Sequence, residues 1–280
     1  MTWKRVATAA LLIPFVVGIV LYGPTAIVAI ATAAIIVLSL WEYFALGDAI
    51  GQRAYRFWTA FCAVLMLYFQ WRESQGIHSA RFPGTGFEAV TIGISVFVLG
   101  IAVLTLFSRR PLVETLPAAG ISSSALLLVA YPLSFVVPMH GAFWQGSRFL
   151  LFALVLTWAA DTTAYFVGRA VGRHPLAPRI SPKKTWEGSI GSMFGSLLVA
   201  YLFHFWIDIA LVHLMLMAVL GNVAGQTGDL LESAYKRSAG VKDSGGLLPG
   251  HGGVLDRIDA LILCVPVIWY YLVLVNPSSR

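Results

Sequence analysis

Long apolar runs, separated by short polar stretches, set the rhythm of the chain. A helix needs about 20 apolar residues to cross a hydrocarbon core about 30 Å thick. Runs of that kind fall near 6–22, 25–46, 55–70, 88–107, 118–138, 148–169, 188–206, 208–231 and 256–275. Within them, stretches such as AIVAIATAAIIVLSL are continuously apolar. Strands of a membrane barrel would alternate apolar and polar residues. The pattern therefore predicts an all-α, polytopic helical membrane protein with nine transmembrane helices. Five spans fall in residues 1–140 and four in 141–280, where cytoplasmic loops are expected at 170–187 and 233–256. The seventh and eighth spans are separated only around Ile207 and Asp208, and no gap leaves room for a soluble domain. No internal repeat of fixed period is present, which weighs against an inverted-repeat transporter.

Composition agrees with the pattern. The 280 residues are 58% hydrophobic and 11% charged, with mean hydropathy +0.80; soluble domains carry about 25% charged residues. MTWKR followed by ATAALLIPFVVGIVLY has the look of a signal peptide. A second apolar run begins directly after Gly23-Pro24, so a retained helical hairpin is expected instead. Cys62 and Cys264 stand alone in apolar runs, with no zinc spacing and no disulfide framework.

Charge then orients the chain. With the N-terminus cytoplasmic, that side carries 15 of the 19 Lys and Arg residues; the other side keeps Arg72, Arg81, Arg148 and Arg280. Such asymmetry is the positive-inside pattern. It also accounts for the net charge of +6 without invoking nucleic acid.

Four acids gather toward the cytoplasmic face: Asp161 near the end of the sixth run, Asp229 near the end of the eighth, and Asp256 and Asp259 at the start of the ninth. An Asp at mid-membrane costs about 2.5–3.5 kcal/mol on insertion scales, so such residues tend to be functional. Asp256 and Asp259, three apart, share a helix face, with Arg257 turned away. Two acids at one depth repel unless a cation joins them. Mg²⁺ prefers carboxylate oxygens and keeps phosphate oxygens and water as further ligands. Glu42 in LWEYF is a further buried acid, read as structural or supporting.

Bases and glycines complete the pattern. Lys183 and Lys184 follow Ser181-Pro182, and Lys236, Arg237 and Lys242 follow the eighth run. Singly, each is ordinary decoration of a cytoplasmic loop. Interleaved with acids and glycines, they suit a triphosphate, which needs cations on its oxygens, a metal held by Asp and close backbone N–H groups. Gly245-Gly246, Pro249-Gly250 and Gly252-Gly253 cannot sustain a helix, and more glycines are present than a simple turn needs. His251 sits between two of them, where it can contact phosphate or solvent. Neither a GxxxxGK[ST] loop nor a GxGxxG motif is present.

Ser233-x-Tyr235-Lys236-Arg237, then Lys242-Asp243-x-Gly245, then Leu248-Pro249-x-His251-Gly252-Gly253-Val254-x-Asp256-Arg257-Ile258-Asp259 closely resembles the signature of the phosphatidate cytidylyltransferase (CDP-diacylglycerol synthase) family. Tyr235 departs from it, standing where an aliphatic residue or Phe is expected. LTWAADTTAYFVGRAVGRHPLAPRISPKKTWEGSIGS, GQTGDLLES and the hairpin ending in WEYF are similar to other family segments. The resemblance implies a dimeric enzyme of the bacterial inner membrane that joins CTP and phosphatidic acid with the help of Mg²⁺, giving CDP-diacylglycerol and pyrophosphate.

The residues fit that chemistry. Asp229 and Asp256 are expected to hold Mg²⁺; Lys236, Arg237, Lys242 and Arg257 to neutralise charge; Lys183 and Lys184 to bind either the triphosphate or the lipid phosphate. Asp161, Ser181, Ser233, Asp243, His251, Gly252, Gly253 and Asp259 complete the expected substrate site. The rival is an ion-coupled transporter that uses Asp161, Asp229 and Glu42. Spatially, the enzyme reading expects Asp161, Ser181–Lys184 and Asp229–Asp259 to converge in one polar cavity.

Overall fold

The computed structural model describes residues 2–75, 87–247 and 252–275. His251 lies outside them. Helices run α1 (Thr2–Tyr22), α2 (Thr25–Ala49), α3 (Arg56–Ser74), α4 (Phe87–Phe107), α5 (Leu112–Gly141), α6 (Gly146–Val171), α7 (Trp186–His204), α8 (Leu211–Ser238) and α9 (Leu255–Val275). Each expected run is thus helical among the described residues. Six of the helices, α2, α4, α5, α6, α8 and α9, are long and apolar enough to cross a membrane by length and composition. The side chains of α1 are described only over Leu12–Tyr22, so it does not enter that count. For the others the reasons are local: α3 carries Arg56, Gln70, Arg72 and Glu73; α7 begins with Trp186-Glu187 and is rich in Gly and Ser.

Two boundaries matter for the site. Helix α8 continues to Ser238, so Ser233, Lys236 and Arg237 are helical and not part of a loop. The fold is otherwise all-α, but the segment 170–187 is not all loop either. Strands β1 (Pro175–Ala177) and β2 (Ser181–Thr185) form an antiparallel hairpin leading into α7. Thr185 caps that helix by accepting from the Gly188 N–H at 3.1 Å, which satisfies one of the first-turn donors that a helix leaves open. Glu187 accepts from the Arg173 and His174 N–H groups at 3.1 and 3.3 Å and meets the His174 ring at 2.6 Å. The His174 contact and these amides hold the Glu187 carboxylate down at about 2.

Helix α5 widens into a π-turn at Leu126–Ala130, just before Pro132, which has no N–H to donate. Helix α2 buries a stripe through Val28, Thr32, Ile36, Leu40, Tyr43 and Gly47, at helical spacing. The stripe of α8 changes character as it rises. It is apolar at Leu214 and Ala218, polar at Asn222, and charged at Glu232 and Lys236. One face of one helix thus links the apolar core to the charged end.

Helix packing in lipid gains little from burying apolar area, so close approach and hydrogen bonds take over. Helix α7 supplies both. A Cβ at Gly191 would lie 2.6 Å from the Val167 side chain, and one at Gly195 2.4 Å from Thr163 Oγ1, so both glycines let α6 come close. Toward α8, Asn222 Nδ2 donates to Ser192 Oγ at 3.1 Å and to Ser196 Oγ at 2.8 Å. Gln226 Nε2 donates to Ser192 Oγ at 2.8 Å and to Asn222 Oδ1 at 2.6 Å. Gly191→Val is expected to destabilise the protein by about 1–3 kcal/mol through overpacking, read as a lowered unfolding midpoint in detergent.

Candidate active site

A cavity of about 500 Å³ opens between α6, the hairpin, α7, α8 and the start of α9. Asp161, Arg169, Lys183, Lys184, Gln226 and Asp229 line it, with Leu156 and Ala160 among its apolar walls. Lys184 forms an ion pair with Asp229, and each side chain is 28% exposed. Asp161 is exposed to the cavity and lies within electrostatic reach of Asp229, Lys184 and Arg257. Arg257 therefore serves the Asp161 side and is not merely turned away from its neighbours. Asp259 stands behind, within electrostatic reach of Asp229, Glu232 and Asp161.

A second, closed cluster sits further along α8. Lys236 pairs with both Glu232 and Asp256. Asp256 gives Oδ1 to Lys236, while its Oδ2 accepts from Gly253 N at 2.8 Å and from Ser244 N and Oγ at 3.0 Å each. Glu42 reaches the same place from α2. It accepts from Val254 N at 2.9 Å, Leu255 N at 2.8 Å and Ser244 Oγ at 3.0 Å. The loop glycines belong to this cluster. A Cβ on Gly245 would stand 2.7 Å from Glu42 Oε1, and one on Gly253 2.3 Å from Glu42 Oε2. Gly252 has φ +76°, a conformation that other residues rarely adopt. The close backbone approach is to two carboxylates of the protein itself.

The expected convergence is therefore divided. Asp161, Lys183, Lys184 and Asp229 share the cavity. Lys236 and Asp256 join the closed cluster beside Gly252 and Gly253. Asp259 lies between the two, and Ser233 is buried on α8. Arg237 ties the hairpin to the loop, donating to Ile180 O at 3.3 Å and Val241 O at 3.0 Å. Ser181 pairs with Ala177 in the hairpin, and Lys242 and Asp243 are exposed; these three and Arg237 are not among the cavity's lining.

Glu232 was not among the expected site residues. It lies three residues after Asp229 and four before Lys236, so helical spacing alone puts all three on one face. Asn222 and Gln226 extend the same face downward and carry the same signal. Ser244 gives no such signal, because its partners are distant in sequence. Among the described residues no three His, Cys, Asp or Glu side chains converge to hold a metal ion by themselves. The donors are nonetheless hard carboxylate oxygens, Asp161 and Asp229 at the cavity and Glu232 and Asp256 in the closed cluster. That set suits an ion that brings phosphate oxygens and water as its remaining ligands.

Residues 3–275 match the Cytidylyltransferase family. The chain is 33% identical over 290 residues to the phosphatidate cytidylyltransferase of Haemophilus influenzae, covering 96% of this chain and 97% of the relative. It is 36% identical over 188 residues to that of Bacillus subtilis, covering 65% and 70%. A relative from Staphylococcus saprophyticus with the same name is 45% identical over 126 residues, 44% of this chain and 48% of its own. With a match running from the first helix to the last, the chain belongs to the cytidylyltransferase family.

Proposed function

We propose that this enzyme transfers a cytidylyl group from CTP to phosphatidic acid, releasing pyrophosphate and leaving CDP-diacylglycerol in the membrane. A phosphate oxygen of the lipid attacks the α-phosphorus of CTP. The new P–O bond forms as the bond from the α-phosphorus to the pyrophosphate oxygen breaks, and the electron pair leaves with pyrophosphate. The nucleophile is already anionic, so positioning and charge neutralisation carry the catalysis. The observation that carries this reading is the Lys184–Asp229 pair in the cavity wall, facing Asp161. A cation for phosphate oxygen and a carboxylate for metal stand side by side, at the end of α8 where charge replaces the apolar stripe.

Lys183, Lys184 and Arg169 would receive phosphate oxygens at the cavity. Asp229 and Asp256 would hold Mg²⁺, which when bound neutralises charge on the phosphates. For Asp256 this would require Oδ1 to exchange Lys236 for the ion, leaving Lys236 to Glu232 and to phosphate. Arg237, Lys242 and Asp243 act at the cytoplasmic rim, with Ser181 and Ser233 supporting the hairpin and α8. The reading places nine spans in a bacterial inner membrane as a homodimer, with the N-terminus and the site facing the cytoplasm. The basic residues support that orientation, since 15 of 19 fall on one side.

Purified protein given labelled CTP, Mg²⁺ and phosphatidate should yield CDP-lipid and pyrophosphate in equal amounts. Absence of both products would overturn the proposal; ion flux in vesicles would then favour the transporter. Lys183→Gln is expected to raise KM about tenfold for one of the two substrates, with kcat changed little, as loss of ground-state binding does. Steady-state kinetics with each substrate varied in turn would check this and assign Lys183 to one phosphate.

A further inference from the structure

Glu42 belongs to the N-terminal half of the chain, yet its carboxylate is spent entirely on the C-terminal site. It is 3% exposed. Its partners, Ser244, Val254 and Leu255, are 202, 212 and 213 residues away. Two of the three donors are backbone N–H groups at the start of α9, where a helix leaves its first donors without partners. A carboxylate at that position also faces the positive end of the helix dipole. Glu42 therefore caps α9 from another helix.

The third donor makes the contact more than a cap. Ser244 Oγ lies 3.0 Å from Glu42 Oε2 and 3.0 Å from Asp256 Oδ2. A hydroxyl has one proton to donate, so it serves one carboxylate at a time. Glu42 and Asp256 thus compete for one donor, and Asp256 is in turn the partner of Lys236. Gly245 and Gly253 have no room for a side chain beside Glu42. The carboxylate is packed on both sides by the loop ends that carry Ser244 and Gly253.

We propose that Glu42 is a positioning residue for cytidylyl transfer: it latches both ends of the loop between α8 and α9 and thereby sets Asp256 against Lys236. This rests on the function proposed above, but its first readout does not. In Glu42→Gln the amide keeps one acceptor oxygen and turns an N–H₂ group toward backbone donors. Charge-assisted hydrogen bonds are about twice as strong as neutral ones, so a selective local opening follows.

Hydrogen exchange, followed residue by residue in the full-length protein, should accelerate about tenfold or more at Ser244, Gly253, Val254 and Leu255. Amides in the middle of α4 and α6 should be unchanged. Ser244→Ala, which removes only the hydroxyl, should loosen the same amides less. In kinetics, kcat should fall about tenfold or more in Glu42→Gln, and its effect should be non-additive with Ser244→Ala. Unchanged exchange at the four amides in both variants would overturn the latch, whatever the activity. So would acceleration spread evenly over all helices, which marks general destabilisation. Selective acceleration in a protein whose parent makes no CDP-lipid would keep the latch and reject the proposed reaction.

Discussion

Asp229→Asn should insert and fold and lose about 10²–10³-fold in kcat, the range seen when one group that stabilises transition-state charge is removed. The substitution keeps the shape and removes the negative charge from the wall of the cavity. Lys184 Nζ is buried and loses its ion-pair partner, but Asn keeps an acceptor oxygen beside it, so the structural cost is modest. Asp229, like Asp161, reaches the cavity without being enclosed by backbone donors, unlike Asp256. Its loss should therefore weaken Mg²⁺ dependence as well as turnover. Asp208→Asn is the control: Asp208 precedes α8 at its other end, where its backbone N–H donates to Gln145 Oε1. Single-turnover rates over a Mg²⁺ titration would measure both effects. Near-normal turnover in a folded Asp229→Asn protein would remove Asp229 from the metal assignment.

The second large effect is on stability. Lys236→Met should cost about 3–5 kcal/mol, because it leaves two buried acids without their cation. The side chains of Lys236, Glu232 and Asp256 are 10%, 5% and 8% exposed, so water cannot take over. Asp256 retains Gly253 N, Ser244 N and the Ser244 hydroxyl that it shares with Glu42, whereas neither Glu232 oxygen makes a hydrogen bond of good geometry. Glu232 therefore bears most of the penalty. It follows that adding Glu232→Gln to Lys236→Met should restore part of the loss, a sign opposite to that of two independent lesions. Thermal unfolding of the three variants in one detergent gives the cycle. An unfolding midpoint for Lys236→Met equal to the parent's would mean that the acids find other compensation.

Much of the fold follows from local rules. A bilayer demands contiguous apolar helices, so runs of 20 residues announce themselves, and all of them are helices among the described residues. The rule is weaker where helices pack on other helices: α3 and α7 carry polar or small residues, including the buried Gln70 and Ser192, and fall short of a span by length and composition although their apolar runs are visible in the sequence. Nothing in the apolar pattern marks the hairpin at 175–185, because two such short strands leave no usable period. The site was legible in part for the same reason. Asp161, Lys184 and Asp229 are costly or orienting residues near one membrane face, and they do meet. Glu232 was within reach of the i+3, i+4 rule.

The glycines tell the opposite story. Their number beyond the needs of a turn was sound evidence of close approach, but the sequence could not name what approaches. Gly245 and Gly253 make room for Glu42, which lies about two hundred residues earlier and in another helix. Likewise, Asp256 read as an open metal ligand, whereas in the folded protein Lys236, Ser244 and Gly253 already occupy it.

The sequence by itself determined where the chain enters and leaves the apolar phase, which side gathers basic residues, and which acids and lysines lie near that side, because hydration and helix period act over a few residues. Tertiary structure alone decided how these groups divide between an open cavity and a closed cluster, and that Glu42 holds the end of α9. Pairings across hundreds of residues depend on how helices cross, and no local period records a crossing.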